Sequence, residues 1–312
     1  MTISIRLENV FQAREAIAGR LHRTPILSSA TLGPRVRLKA ELFQRTGSFK
    51  PRGVLTKLAS LAPDERARGV IGISAGNHAQ ALAYCSALEG VDCLVVMWTG
   101  ASEQKIAATR GYGAEVDLEA RGPGEAFERL SVLLEETGRT LVHPFDDPLV
   151  IAGQGTVGLE IVEDAPETEV VVVPVGGGGL VSGIAVAAEG RRVIAVEPEL
   201  STALHDGMAA GRSVPVEPQS IADGLSAPFA GEHAVEICTR LGVENVLVSE
   251  DEIAEGMRFL YTRAKLACEP AAAVGVAALL SGKVPAADAA VTVVVSGGNV
   301  AAETAAAILS PR

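Results

Sequence analysis

Lys50 is the residue of this sequence whose setting best suits covalent chemistry. It lies in the segment TGSFKPRG (residues 46–53), after a glycine and an aromatic residue and before a proline that fits the first turn of a helix. A lysine amine can form a Schiff base with a carbonyl compound and can then act as a base, provided that burial lowers its pKa. An isolated lysine is ordinarily solvated, so the chemistry of Lys50 depends on partners elsewhere in the chain.

A second polar segment consists of Ser74, Ala75, Gly76, Asn77 and His78, between the apolar run VIGIS and a long helical stretch. Free backbone N–H groups at the start of a helix can hold a carboxylate. Asn77 either caps that helix or donates a hydrogen bond to a cofactor hydroxyl. We interpret His78 as a packed residue behind the site and not as a base.

Four consecutive glycines separate the run VVVVPV from another helical stretch. They are Gly176, Gly177, Gly178 and Gly179. A tight turn needs one or two glycines, so four indicate that a ligand approaches the main chain, and bare amides at a helix start favour phosphate. The alternative is a dinucleotide fingerprint with Glu197 ending the next strand, but Ser182 stands where its third glycine belongs.

The sequence contains two further glycine motifs, at residues 153–158 and 296–298. A formal G-x-G-x-x-G at Gly153, Gly155 and Gly158 is not preceded by a clear strand, and we interpret it as accidental. Ser296 follows the strand-like run VTVVV and precedes Gly-Gly-Asn. Ser296 either caps the terminal helix or belongs to the site.

The elements that must position these segments are Val- and Ile-rich runs alternating with Ala-rich helical stretches. This alternation predicts an α/β fold in which open, twisted, mostly parallel sheets are flanked by helices. In such sheets ligands bind beyond the carboxyl ends of the strands, where the segments above are expected. The stretch from Gly69 to His143 reads as a βαβαβαβ unit, which predicts a small domain, 69–143, inserted in a large domain of 1–68 plus 144–312.

Composition excludes several classes of protein. The 312 residues are 48% hydrophobic with a net charge of −11, which argues against a nucleic-acid partner because phosphate backbones require clustered lysine and arginine. The sequence has neither an apolar run long enough for a membrane nor a signal-peptide core, so a cytoplasmic protein is expected. Four cysteines without C-x-x-C spacing are predicted to be reduced core residues. They are Cys85, Cys93, Cys238 and Cys268.

The motifs GSFKPRG, SAGNHAQALA, PVGGGGL and SGGN, in this order, resemble the fold-type II pyridoxal-phosphate enzymes, specifically threonine and serine dehydratases and their relative serine racemase. The resemblance extends from HRTPIL near residue 22 to SGGNV. It implies a tryptophan synthase β-like fold, pyridoxal 5'-phosphate as cofactor, a small amino-acid substrate and a homodimer. It also implies β-elimination, in which L-threonine or L-serine yields 2-oxobutanoate or pyruvate and ammonia.

The resemblance also implies a role for each motif residue. Lys50 would hold the cofactor as a Schiff base and then remove the α proton, and Phe49 would flank the ring. Asn77 would bond the ring hydroxyl and Ser296 would face the pyridine nitrogen. The glycines 176–179 would hold the phosphate, and the amides of residues 74–78 would hold the substrate carboxylate.

Two acidic residues are assigned to the neighbourhood of the cofactor by the same resemblance. Asp223, in the segment SIADG (residues 220–224), would sense the β-hydroxyl of the substrate, and its alternative is a turn aspartate. Glu269 would lie near the cofactor, and its alternative is simply the start of a helix whose first residue is Pro270.

Two positions depart from relatives in the family. Racemases supply a serine where this chain has Ala75, and an alanine cannot donate a proton, so elimination is expected rather than racemisation. Some relatives bind a divalent cation through a glutamate, a carbonyl and an aspartate. Glu197 and Ser201 fit that pattern, but Ala203 replaces the aspartate, so no metal is predicted.

Several alternatives remain open from the sequence. Within the family they are a serine racemase, a hydroxyaspartate dehydratase and a synthase that adds an outside nucleophile. Outside it, the alternative is a binding protein that has kept the fold without catalysis, which would be expected to have lost Lys50.

Overall fold

Strands and helices alternate along most of the chain. The computed structural model describes residues 5–285 and 289–310. The strands of this part of the chain are β1 Ile26–Ser28, β2 Val36–Ala40, β3 Val70–Ile73, β4 Cys93–Trp98, β5 Glu115–Ala120, β6 Thr140–Leu141, β7 Val170–Pro174, β8 Arg192–Pro198, β9 Glu244–Val248 and β10 Val291–Val295. The helices are α1 Leu7–Ile17, α2 Pro51–Ala59, α3 Pro63–Arg68, α4 Asn77–Glu89, α5 Glu103–Gly111, α6 Pro123–Thr137, α7 Pro148–Asp164, α8 Gly179–Ala187, α9 Ala203–Ala210, α10 Glu232–Arg240, α11 Glu250–Phe259, α12 Pro270–Leu280 and α13 Ala302–Leu309. Shorter helical turns span Glu41–Phe43, Arg45–Gly47, Asp223–Leu225 and Leu260–Ala264.

The larger sheet has the strand order β1-β2-β10-β7-β8-β9. Its neighbouring strands are parallel except β1, which runs antiparallel to β2. Alternate residues of β7 pack into different clusters, Val170 and Val172 on one face and Val171 and Val173 on the other. Both faces are therefore buried beneath helices, which explains the uninterrupted valines of this strand.

The smaller sheet has the order β5-β4-β3-β6 and is parallel throughout. Its strands lie between residues 70 and 141, inside the range 69–143 of the predicted inserted domain. The α/β fold with two open, mostly parallel sheets flanked by helices is confirmed. The division into two domains stays a prediction, and residues 1–4, 286–288 and 311–312 of the predicted large domain lie outside the described residues.

Helix α7 packs against both α2 and α8 through its glycines. Gly153, Gly155 and Gly158 lie inside this helix. A Cβ at Gly153 would lie 2.6 Å from the Cα of Gly53, and one at Gly155 would lie 2.8 Å from the carbonyl oxygen of Gly183. Close helix packing explains these glycines, so the interpretation of the formal G-x-G-x-x-G as accidental is confirmed. No helix of the described chain is long and apolar enough to cross a membrane.

All four cysteines are buried thiols without a disulfide bond. Burial raises the pKa of each thiol, that of Cys93 to about 11. The prediction that these residues are reduced parts of the core is confirmed.

A cluster of buried charges lies beneath the first turn of α2. The side chains of Arg52, Glu41 and Lys39 are at most 1% exposed. Arg52 donates hydrogen bonds to Glu41 and Glu160, and Lys39 also donates to Glu160. Nothing in the sequence pattern indicates this cluster, because such residues are ordinarily solvated. Since Arg52 lies two residues after Lys50, the cluster anchors the helix turn that follows the lysine.

Candidate active site

A cavity of about 730 Å³ lies where β3, β7 and β10 end and their following loops begin. Its walls come from the smaller sheet through β3 and β4, and from the larger sheet through β7 and β10. Every residue predicted for the site lines this cavity. These residues are Phe49, Lys50, Ser74, Ala75, Gly76, Asn77, His78, Gly176, Gly177, Gly178, Gly179, Asp223, Glu269 and Ser296. The roles assigned to them stay predictions.

Lys50 immediately precedes α2, which begins at Pro51 as the sequence predicts. Its Nζ donates a hydrogen bond of 2.8 Å to the carbonyl oxygen of Pro144 and lies 5.2 Å from the centre of the Phe49 ring. Burial lowers the pKa of Lys50 to about 8, although the charge of Glu269 opposes the shift. A lowered pKa is what a lysine needs to act as a nucleophile or base near neutral pH.

The turn before Lys50 is held by the end of β10. Phe49 N donates to the carbonyl oxygen of Ser296 at 3.2 Å, and Gly298 N donates to that of Gly47 at 2.9 Å. Ser48 forms an antiparallel bridge with Gly297 between these contacts. Helix α13 begins only at Ala302. The alternative that Ser296 caps the terminal helix is therefore wrong.

The tetraglycine segment joins β7 to α8. Gly178 has φ +88°, and a Cβ at Gly177 would overlap the ring of Phe145. The backbone N–H groups of residues 176–179 donate to no acceptor among the residues that the structure describes. Four unpaired donors at the positive end of a helix match the oxygens of a phosphate. The donor set therefore fits the phosphate group of pyridoxal phosphate.

Asn77 is the first residue of α4, and the capping position belongs to Gly76. The alternative that Asn77 caps the helix is therefore wrong. Its Nδ2 instead donates to Oε1 of Glu269 at 2.7 Å, across the cavity wall. Burial raises the pKa of Glu269 to about 7, while the hydrogen bond from Asn77 opposes the shift. Glu269 also directly precedes α12, so its place at a helix start is confirmed.

The segment before α4 offers further unpaired donors. The N–H groups of Ala75, Asn77 and His78 donate to no acceptor in the described chain, while Gly76 N donates to Oγ of Ser74 at 3.1 Å. This arrangement can receive a carboxylate.

His78 packs behind the cavity and bonds to the main chain. Its Nε2 lies 2.9 Å from the carbonyl oxygen of Val142. Burial, helped by the charge of Lys50, lowers the pKa of His78 to about 3. A neutral, packed histidine agrees with the prediction that it is not a base.

Asp223 lies at the cavity edge in the turn Asp223–Leu225 and forms an ion pair with Lys105 of α5. The pair joins the loop beyond β8 to a helix of the smaller sheet. Sequence reasoning missed Lys105, since a lysine on a polar helix carries no signal of a site. It also missed Pro144 and Phe145, whose positions depend on tertiary packing.

Glu197 is buried away from this cavity, and its carboxylate accepts three hydrogen bonds. Its carboxylate accepts from Leu204 N at 2.7 Å, His205 N at 2.8 Å and Asn245 Nδ2 at 2.6 Å. Burial raises its pKa to about 7 against these three hydrogen bonds. In the described part of the chain no three His, Cys, Asp or Glu residues are grouped to hold a metal ion.

The chain is similar to a family of known enzymes over most of its length. Residues 17–306 match the family model described as pyridoxal-phosphate dependent enzyme. An L-threonine ammonia-lyase of Thermotoga maritima is 43% identical over 305 residues, which cover 95% of this chain and 76% of that protein.

Two solved structures superpose closely on the chain. Maize serine racemase has a TM-score of 0.92 at 32% identity, and the match covers 96% of the present chain and 95% of the racemase chain. The processed form of threonine deaminase isoform 2 from Solanum lycopersicum has a TM-score of 0.88 at 30% identity. This match covers 96% of the present chain and 87% of the tomato chain. The similarity therefore includes both deaminating and racemising enzymes.

Proposed function

Because the chain belongs to the family of pyridoxal-phosphate dependent enzymes, we propose that it eliminates water from L-threonine, L-serine or both. Hydrolysis of the released enamine then takes up one water and gives the keto acid and ammonia. L-threonine would yield 2-oxobutanoate and ammonia, and L-serine would yield pyruvate and ammonia. The observation that carries the proposal is that the Lys50 amine and the unpaired amides of residues 176–179 line one cavity.

Lys50 would first hold the cofactor and then serve as the base. When bound, pyridoxal phosphate withdraws electrons from the α carbon of an amino acid and so weakens the bond to its proton. The pKa of about 8 leaves part of the Lys50 amine neutral near pH 7, and a base with a pKa close to the working pH is efficient. The carbonyl of Pro144 orients the amine through a 2.8 Å hydrogen bond.

The remaining residues would orient the cofactor and the substrate. The glycine amides would hold the phosphate, Asn77 would donate to the ring hydroxyl, and Ser296 would meet the ring nitrogen with a neutral hydroxyl. The unpaired amides at the start of α4 would bind the substrate carboxylate. These contacts would place the α proton on the side of Lys50.

Elimination is favoured over racemisation by Ala75. Racemisation needs a proton donor on the face of the α carbon opposite the lysine. Ala75 lines the cavity, but its methyl side chain cannot donate a proton. Neighbouring His78, with a pKa of about 3, is not a proton donor at neutral pH.

A neutral substrate side chain is favoured over a second carboxylate. Among the described residues no arginine lines the cavity, and the lining cation Lys105 is paired with Asp223. With Lys50 serving as the neutral base, a carboxylate in the side chain of a hydroxyaspartate would therefore lie beside the like charge of Asp223 without an unpaired cation among the described lining residues, which is unfavourable. The pocket suits threonine and serine better.

The test is a visible spectrum of the purified protein with pyridoxal phosphate, followed by addition of L-threonine or L-serine and assay of keto acid and D-serine. We expect a visible band, keto acid from at least one substrate, and little D-serine. Lys50→Ala should lose the band, whereas Lys57→Ala, in the same helix but paired with Asp147 outside the cavity, should keep it.

Either of two results would overturn the proposal. A band that survives in Lys50→Ala would remove the assignment of the lysine, and D-serine as the main product would make the chain a racemase. The homodimer and the cytoplasmic location expected from the sequence stay predictions.

A further inference from the structure

We propose that Asn299, which does not line the cavity, is a positioning residue that fixes which atom of the Asn77 amide faces the cofactor. The proposal rests on the cofactor contact proposed above for Asn77. It arises from a chain of hydrogen bonds that links the turn before Lys50 to the buried carboxylate of Glu269.

The direction of every hydrogen bond in this chain follows from its first member. The carbonyl oxygen of Thr46 can only accept, so the atom of Asn299 at 2.7 Å must be the Nδ2 donor. The same Nδ2 lies 2.8 Å from the Asn77 amide, so the Asn77 atom there must be the oxygen. The nitrogen of Asn77 is then left to donate to Glu269 at 2.7 Å.

This order leaves one N–H of Asn77 for the cofactor. Its Nδ2 carries two hydrogens, and Glu269 takes one of them. The second would donate to the ring oxygen and stabilise the ionised form of that oxygen. If the Asn77 amide were reversed, its nitrogen would face Nδ2 of Asn299, so two donors would meet without an acceptor between them. Its oxygen would then face Glu269 and could accept only from the protonated form of that carboxyl.

Asn299 packs closely against the turn that precedes Lys50. A Cβ at Gly47 would lie 2.6 Å from Oδ1 of Asn299, so only a glycine leaves room for the asparagine. Gly47 also has φ +73° and follows Thr46 at φ +60°, so the turn presents its carbonyl in an unusual direction. The same asparagine therefore restrains both the turn leading to Lys50 and the amide of Asn77.

The experiment compares the holoenzyme with Asn299→Leu and Asn299→Asp. Leucine is close in size to asparagine but donates no hydrogen bond, and aspartate replaces the donor with an acceptor. Asn9→Asp makes the same change of charge at an asparagine in the first turn of α1, whose Oδ1 accepts from the backbone N–H of Arg6. The readouts are the ratio of visible to near-ultraviolet absorption of bound pyridoxal phosphate across pH, its dissociation constant, and the thermal midpoint of each variant.

Ionisation of the ring oxygen favours the visible band, so loss of the donor should favour the near-ultraviolet band. A hydrogen bond to a charged group is worth about tenfold or more in an equilibrium. We therefore expect both Asn299 variants to lower the absorption ratio about tenfold. The decrease in Asn299→Asp should be at least as large as that in Asn299→Leu. Asn9→Asp should match the wild type.

Three results would overturn the inference. A spectral change in Asn299→Asp alone would be an effect of added charge. A lower thermal midpoint with an unchanged absorption ratio in Asn299→Leu would show a packing role only. A wild-type protein without any visible band would overturn the proposed function together with the inference. The first two results, in contrast, would overturn the inference and leave the proposed function standing.

Discussion

Arg52→Met should lower the free energy of unfolding by about 3–5 kcal/mol, because removal of one partner leaves buried charges uncompensated. The Arg52 side chain is 1% exposed and Glu41 is 0% exposed. Each of its guanidinium nitrogens donates a hydrogen bond: Nε and Nη2 donate to Glu41, and Nη1 and Nη2 to Glu160. Nη1 also reaches Thr156 at 3.1 Å. Methionine fills part of the volume but neutralises neither carboxylate.

The size of this loss sets the expected change in melting temperature. An unfolding entropy of roughly 2.1 cal/mol/K per residue gives a chain of 312 residues about 0.65 kcal/mol/K. A loss of about 3–5 kcal/mol therefore corresponds to a Tm lower by about 5–8 °C. Scanning calorimetry measures the Tm, and denaturant titration with an unchanged m-value measures the free energy.

The matched control is Arg23→Met. Arg23 also pairs with two carboxylates, Glu163 and Asp164, but its side chain is 50% exposed. Exposed pairs contribute about 0–1 kcal/mol, so this variant should lose less than about 2 °C in Tm. Equal losses from Arg52→Met and Arg23→Met would refute the reasoning that burial makes the difference.

Four further predictions concern the site. The rate at which Lys50 forms its bond to the cofactor should rise with pH along a titration curve whose midpoint is about 8, because burial lowers the pKa of Lys50 to about 8 and only the neutral amine attacks. Stopped-flow absorbance measures this rate, and a midpoint near 10 would contradict the prediction. Gly177→Ala should weaken cofactor binding about tenfold, because the added methyl group would overlap the Phe145 ring. An unchanged affinity in a cofactor titration would contradict the assignment of residues 176–179 to phosphate binding. Asp223→Ala should change the ratio of kcat/KM for threonine and serine about tenfold, and an unchanged ratio would leave Asp223 a turn residue. Ala75→Ser should produce D-serine detectable by chiral chromatography, and its absence would mean that a hydroxyl there is not sufficient.

The sequence predicts the parts of the fold that repeat a simple pattern. Both faces of β7 are buried, so its valines run without interruption, and the four glycines mark the turn into α8. Strands β1, β2 and β9 were not predicted. β1 and β9 lie at the two edges of the larger sheet, where pairing on one side only leaves a weak hydrophobic pattern. In β2 the apolar residues alternate with Arg37 and Lys39.

The parts of the site that escaped prediction depend on contacts between distant segments. Asn299 contacts Asn77, which is 222 positions away in the sequence, and Lys105 contacts Asp223, which is 118 positions away. No periodicity connects such pairs, and polar residues near helix ends look the same whether they face solvent or a cavity. The motifs located the loops, while the hydrogen bonds of Asn77 decided between helix capping and a position at the cavity.

The backbone around Lys50 is restrained from two directions while its amine is held weakly. The Arg52 cluster anchors the turn after the lysine, and the backbone of Ser296 fixes Phe49 before it. The Nζ atom makes a single hydrogen bond within the described chain, to Pro144 O, and a bond of this kind contributes about 0.5–1.5 kcal/mol. A fixed backbone with a loosely held amine is what the proposed chemistry requires, because the same Nζ must hold the cofactor, release it, and then reach the α proton without movement of the helix.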